Sequence, residues 1–246
     1  MQNPVQRHLK DRSNDQLCDQ TQSVTRLSRS DSRYPLLLRE IHDPPDLLYA
    51  RGDINVLAKP TVAIVGSRRC TPGARALAFS LAQDIASRGW CVVSGLARGI
   101  DTAAHQGALA AGLPGSTIAV FGAGVDVIYP PENTRLANSI LDTGGLLLSP
   151  FAPGAPPLAR HFPQRNRIVA GLGRATVVVQ AALASGSMIT ARLAADMGRE
   201  VLAVPGRPGD QLSQGTHALI RQGAALLEGV DDLWAAFGLY HRDSKS

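Results

Sequence analysis

Aromatic side chains make up only 4% of the 246 residues, so the core cannot be built around stacked rings and has to be filled by Ala, Val, Leu and Ile. That composition suits parallel strands covered by helices with small side chains. Cysteine is rarer still. Cys18, Cys70 and Cys91 are odd in number and lack metal-ligand spacing, which argues against a disulfide framework and fits a reducing compartment. Cys91 lies in an apolar run and reads as packed, whereas Cys70 beside Arg68 and Arg69 is either packed or a somewhat reactive thiol. No segment reaches transmembrane length, and no apolar stretch follows the basic N-terminus, so a cytoplasmic protein without a membrane segment is expected. Neither G-K-[ST] nor G-x-G-x-x-G occurs, which removes the Walker and dinucleotide fingerprints.

What the sequence has in quantity is glycine, 24 residues, as expected of many tight strand-to-helix turns. Lys plus Arg outnumber Asp plus Glu by 25 to 20, a formal charge of +5. Such a balance fits either a polyanion partner or ordinary solubility; the positions of the arginines have to decide. Residues 1–33 are polar and lack an apolar period, which predicts a disordered tail. Residues 34–60 read as a lead-in packed on the main domain, 61–237 as that domain, and 238–246 as a C-terminal tail.

From Thr61 the pattern becomes regular. TVAIV, WCVVS, STIAV, GGLLLS, ATVVVQ and EVLAV are six β-rich runs. Helical patterns separate most of them: one through ARALAFSLAQDIASRG, one through ARGIDTAAHQGALAAG, and others around Asn133–Leu141, Asn166–Gly171 and Ser187–Met197. One or two closing helices are expected after Gly206. The arrangement predicts an α/β fold, a doubly wound and mostly parallel sheet with helices on both faces. Open sheets of this kind bind ligands at the carboxyl ends of their strands.

The loops at those ends carry the candidate chemistry. Gly66-Ser67-Arg68-Arg69 follows the first strand, where a glycine turn, a hydroxyl and backbone amides can meet an anion; two adjacent arginines exceed what a plain turn needs. In SGLARGIDTAAHQGAL, Arg98 precedes a helix, either contacting an anion or bracing the first loop. Asp101 can cap that helix, and His105, four residues on, can meet Asp101 on one helix face. In FGAGVDVIYPPEN, Tyr129-Pro130-Pro131 stiffens a strand-end turn and Asp126 can orient amides or arginines. In LARHFPQRNRIVAGL, Arg160, His161, Arg165 and Arg167 surround Phe162, an arrangement that suits phosphates and an unstacked base. The competing reading makes Phe162 core or lid. Arg165 and Arg167, two apart, do not share a helix face, so at least one can serve as a brace. Ser185, Gly186 and Ser187 form a hydroxyl-rich turn before an apolar helix, either a cap or an additional anion contact.

Taken in order, GSRR-T, VVSGLARGIDTAAHQGAL, IAVFGAGVDVIYPPEN, FPQRNRIVAGL, SGSMITARLA and VLAVPG followed by QGTHALIRQGAALL resemble the DNA-processing DprA (Smf) family from about Tyr34 to Leu233. The resemblance implies an extended Rossmann-like domain that binds single-stranded DNA without catalysis or cofactor, forms a homodimer, and delivers the strand to the RecA recombinase in natural transformation. It assigns the Gly66–Arg69 turn and the FPQRNR stretch to the DNA pocket. Pro150 and Gln180 stand where family members commonly carry glutamates, and the room after Phe237 is too short for the winged-helix-like domain of many relatives. Two other functions fit an arginine-lined anion site: a nucleoside-monophosphate glycosidase, which needs a positioned acid or base, and a nucleotide-sensing module.

Overall fold

The computed structural model describes residues 24–239. Its nine strands are β1 (Thr25–Ser28), β2 (Leu47–Gly52), β3 (Thr61–Val65), β4 (Cys91–Ser94), β5 (Thr117–Val120), β6 (Leu146–Ser149), β7 (Ala175–Val178), β8 (Glu200–Ala203) and β9 (Ala225–Leu226). The helices are α1 (Leu36–Arg39), α2 (Pro72–Ser87), α3 (Ile100–Ala110), α4 (Thr134–Asp142), α5 (His161–Leu172), α6 (Gly186–Asp196), α7 (Gln214–Arg221) and α8 (Val230–Ala236).

All strands join one sheet in the order β1-β2-β6-β5-β4-β3-β7-β8-β9. From β6 to β9 every pairing is parallel, while β2 lies antiparallel to β6 and β1 antiparallel to β2. The six β-rich runs of the sequence are the six strands β3 to β8. Their apolar residues are buried on both faces, and the period of two distributes them: Ala63, Val65, Val93 and Val120 face one core with α1, α5, α6 and α7, whereas Val62, Ile64, Val92 and Val177 face the other with α2, α3 and α8. Ala119 and Leu147 extend the second face beneath α4. The doubly wound expectation therefore holds.

Local chemistry sets the helix starts. Thr71 caps α2 by accepting the Ala74 amide at 3.2 Å, and Pro72 occupies the first helical position, where its missing N–H costs nothing. Ser185 caps α6 through the Ser187 amide at 3.1 Å. The α5 helix begins at His161, five residues before the expected Asn166 start. Pro163 is compatible with this because it falls in the first turn, whose amides lack intrahelical partners.

Two boundaries need correction. Within residues 1–33, expected to be a disordered tail, Thr25–Ser28 is a strand in register with Leu47–Ala50, anchored by the buried Leu27. The lead-in, expected to pack on the sheet, joins it: Leu48 and Ala50 alternate inward from β2 while its backbone pairs with β6. Residues 1–23, with Cys18, and 240–246 lie outside the described residues.

The chain runs β3-β4-β5-β6 in one direction across the sheet and then returns to place β7 on the other side of β3. The reversal point lies between β3 and β7. The loops leaving these two strands diverge there and open a crevice at the carboxyl end of the sheet.

Candidate functional site

That crevice is a cleft of about 610 Å³, lined by Gly66–Arg69 after β3, Ala97 and Asp101 after β4, Phe162, Arg165 and Asn166 of α5, and Ser185–Ser187 at the start of α6. The Gly66–Arg69 loop is held from below by one residue. The backbone carbonyl of Gln180 accepts the Ser67 amide at 2.7 Å, and its side-chain Oε1 accepts the Thr71 amide at 2.9 Å. Gln180 is 6% exposed. The glutamine thus supplies an acceptor at this strand end without placing a negative charge under the arginines.

Arg68 and Arg69 are exposed, and neither has a carboxylate within ion-pair distance among the described residues. The Arg68 guanidinium lies 5.6 Å from the centre of the Phe162 ring, a cation–π distance. Phe162 is half-buried, and its seat depends on Gly122, where a Cβ would come within 3.0 Å of the ring.

Arg165 also lies near the Phe162 ring, at 5.7 Å, but is largely buried. It is 4% exposed and donates to the carbonyls of Gly95 and, at 2.9 Å, Val120, with Nε directed to Asn166 at 3.2 Å. Its fork spans the ends of β4 and β5. Nη1 and Nε of Arg165 therefore brace the strand ends, while Nη2 has no hydrogen-bond partner among the described residues and the residue lines the cleft. Asp101, 7% exposed, accepts the Gly95 amide at 3.2 Å and the Ala97 amide at 3.3 Å. Burial raises its pKa against the opposing influence of Arg165, and burial lowers that of Arg165.

The remaining predicted residues divide between rim and scaffold. Arg98 is at the rim, but Glu132 holds it in an ion pair in which both side chains remain open to water. Arg167 leaves the cleft and pairs with Asp43 at 2.8 Å, tying α5 to the segment before β2. His161 is 9% exposed, stacked on Phe151 with ring centres 3.9 Å apart, and its Nδ1 lies 3.1 Å from the Pro156 carbonyl. These contacts give His161 and Arg167 positions in the scaffold, and neither residue lines the cleft. Arg160 is exposed but stands outside the cleft lining. Ser185, Gly186 and Ser187 do line it, with the Ser185 hydroxyl engaged as a cap.

The expected Asp101–His105 contact does not form. His105 is fully buried with Nδ1 2.7 Å from the Thr117 hydroxyl, and burial, with a smaller effect of Arg165, lowers its pKa to about 3. Asp126 accepts the Gly154 amide at 2.8 Å, an amide-orienting role. Sequence reasoning missed Asn133, whose side chain donates to the Leu96 carbonyl at 2.8 Å and so fastens the Tyr129–Asn133 loop to the loop after β4. Its polar type in a Pro-rich turn was the only available signal.

A larger hollow of about 830 Å³ lies at the opposite, amino end of the strands, beside Lys59 and Trp90. Two of its cations are already engaged: Lys59 with the Pro114 and Gly115 carbonyls, Arg33 with Asp31. The smaller cleft combines the unpaired arginines with helix-start amides, so it is the better anion site.

Comparison with known proteins agrees with this architecture. The family described as DNA recombination-mediator protein A matches residues 25–238. DNA processing protein DprA of Streptococcus pneumoniae is 45% identical over 221 residues, 90% of this chain and 77% of that protein. Protein Smf of Escherichia coli is 42% identical over 227 residues, 91% of this chain and 60% of that protein. The S. pneumoniae DprA structure superposes with a TM-score of 0.82, covering 87% of this chain and 74% of that one. DNA processing protein A of Helicobacter pylori, whose structure concerns a single-stranded DNA binding mode, is 33% identical with a TM-score of 0.76, covering 84% and 94%. Sheet order, strand-end loops and sequence thus agree across almost all of the described residues, and the chain belongs to the DNA recombination-mediator protein A family, the DNA-processing proteins called DprA or Smf.

Proposed function

We propose that the cleft binds the backbone of single-stranded DNA and that the protein delivers the bound strand to the RecA recombinase during natural transformation, acting as a cytoplasmic homodimer. The observation that carries the binding reading is the pair Arg68 and Arg69, exposed and without acidic partners among the described residues, beside a half-exposed phenyl ring at the point where the sheet reverses direction. Phosphates neutralised by guanidinium groups and backbone amides give sequence-independent affinity, and a ring can stack on an unpaired base. The single-strand binding of the H. pylori relative supports the same ligand. RecA delivery and self-association rest on family membership.

The reading is non-catalytic. Carboxylates at and around the cleft already have partners: Asp101 two amides, Asp210 the Leu212 amide and the Ser213 hydroxyl, Asp126 the Gly154 amide, and Glu132 Arg98.

A length series tests the function. Affinity should rise from mononucleotide to an oligothymidine of about 30 nucleotides, exceed that for duplex of equal length, and fall with salt at a logarithmic slope of about −0.7 per phosphate neutralised. Tight binding of a mononucleotide, without further gain from length, would replace this reading with nucleotide sensing. Delivery is tested by RecA filament assembly on a strand pre-coated with a single-strand-binding protein; no acceleration by the chain removes that step.

A further inference from the structure

Tyr129 is the only aromatic residue that is highly exposed among the described residues, at 46%. In a chain with so few rings this placement is informative, because an exposed ring contributes little to a core. Its position is not arbitrary. Tyr129 stands 6.0 Å from Phe162, centre to centre, with the two planes inclined by 49°. Together with Pro130 it closes a small recess against Arg68 and Arg98, at the edge of the arginine cleft.

The backbone around it is fixed. Asn133 fastens the loop to Leu96, and Glu132 binds Arg98 from the same turn. A ring on an anchored loop loses little further freedom on binding, which favours it as a contact surface. With Arg68 in its observed place the recess behind it measures about 30 Å³, room for roughly one water. The inclination between the rings likewise leaves no parallel slot. The outward face of Tyr129 can take a base without any displacement of Arg68.

We propose that Tyr129 is a nucleobase-stacking platform, a second base subsite on the β5 side of the cleft, separate from Phe162. The inference rests on the proposed single-strand binding. A strand whose phosphates follow Arg68 and Arg69 would pass Phe162 and present a neighbouring base to Tyr129. Ring stacking accepts any base, so the subsite raises affinity without selecting sequence.

The test uses the full chain and a 20-nucleotide oligothymidine, with a fully abasic strand of the same length as control. Tyr129→Ala should weaken oligothymidine binding roughly 5- to 100-fold, leave abasic-strand affinity as in the wild type, and keep the salt slope, since stacking releases no counterions. Tyr129→Phe should restore binding. Tyr129→Leu, which keeps apolar packing on Phe162 but removes the planar ring, should behave like Tyr129→Ala and guards against a folding artefact. Equal affinity of Tyr129→Ala and wild type overturns the proposal, as does an equal loss on the abasic strand or an equal loss in Tyr129→Phe. The Arg68→Ala/Arg69→Ala variant separates the two levels. If it lowers affinity and moves the salt slope toward zero by about 1.4 while the Tyr129 variants are silent, the cleft reading stands and the platform alone falls; if it changes nothing, the cleft reading itself falls.

Discussion

Arg165 and Asp101 hold one residue from its two sides: Asp101 accepts the amide of Gly95 at 3.2 Å, and Arg165 donates to its carbonyl. The two charged groups do not form a direct ion pair; the loop after β4 runs between them. Gly95 has to be glycine because a Cβ there would fall inside the Arg165 guanidinium. This clamp fixes the floor of the cleft and leaves the surface charge to Arg68 and Arg69.

The clamp predicts a stability effect larger than its effect on ligand charge. Arg165→Met should destabilise the fold by about 3 kcal/mol or more, because it strands buried carbonyls and leaves Asp101 uncompensated. Urea unfolding measures this. Arg165→Lys should fall between, keeping a charge but losing the planar fork. In both variants the folded fraction should keep the wild-type salt slope for oligothymidine if the guanidinium acts only through the carbonyls it braces; a slope reduced as in an Arg68 variant would mean that Arg165 reaches the strand.

Glu132 should act against binding. An exposed ion pair is weak, yet it keeps a carboxylate beside the proposed path of the strand. Glu132→Gln should tighten oligothymidine binding and steepen the salt slope by up to about 0.7, one phosphate. Arg98→Ala/Glu132→Gln should lose the steeper slope. Titrations at several salt concentrations decide the matter, and an unchanged slope in Glu132→Gln would show that Arg98 does not engage a phosphate even when released.

His105 predicts an acid-side loss of stability. Its imidazole stays neutral in the fold down to about pH 3, whereas in the unfolded chain it takes a proton near pH 6.5. Between these values the unfolded state holds the extra proton, so stability falls as pH drops below about 6.5, by up to about 1.4 kcal/mol per pH unit. His105→Leu should flatten the dependence between pH 7 and 5, above the range where most carboxylates titrate. The Thr117 hydroxyl retains its bond to the Val92 carbonyl in that variant.

Gln180 predicts a separation of anchoring from charge. Gln180→Ala removes the acceptor of the Thr71 amide and should cost about 1 kcal/mol. Gln180→Glu keeps the acceptor but adds negative charge beneath Arg68 and Arg69; melting should stay near wild type while oligothymidine affinity falls, most strongly at low salt.

The strands from β3 to β8 were legible in sequence because each is a short apolar run bounded by turns, buried on both faces. Strand β1 was not, since Thr25–Ser28 buries only Leu27 and lies at the sheet edge, where one apolar residue makes no period. The arginine loop after β3 was legible from its glycine and paired charges. The fates of Arg165 and Arg167 were not, because burial of one against strand ends and pairing of the other with Asp43, 124 residues away, are tertiary facts. Tyr129 shows the same limit: its place before Pro130-Pro131 suggested a stiff turn, and only the fold reveals that its ring is left facing water.

The bond between Thr71 and Gln180 joins residues 109 apart in the chain. A polypeptide still emerging from the ribosome therefore carries its two leading arginines long before their loop has a partner to hold it. The loop's anchor requires β7 seated beside β3, which the chain supplies 109 residues after Thr71. Nascent fragments should consequently be poor competitors for DNA, and capture of a strand becomes a property of the finished domain.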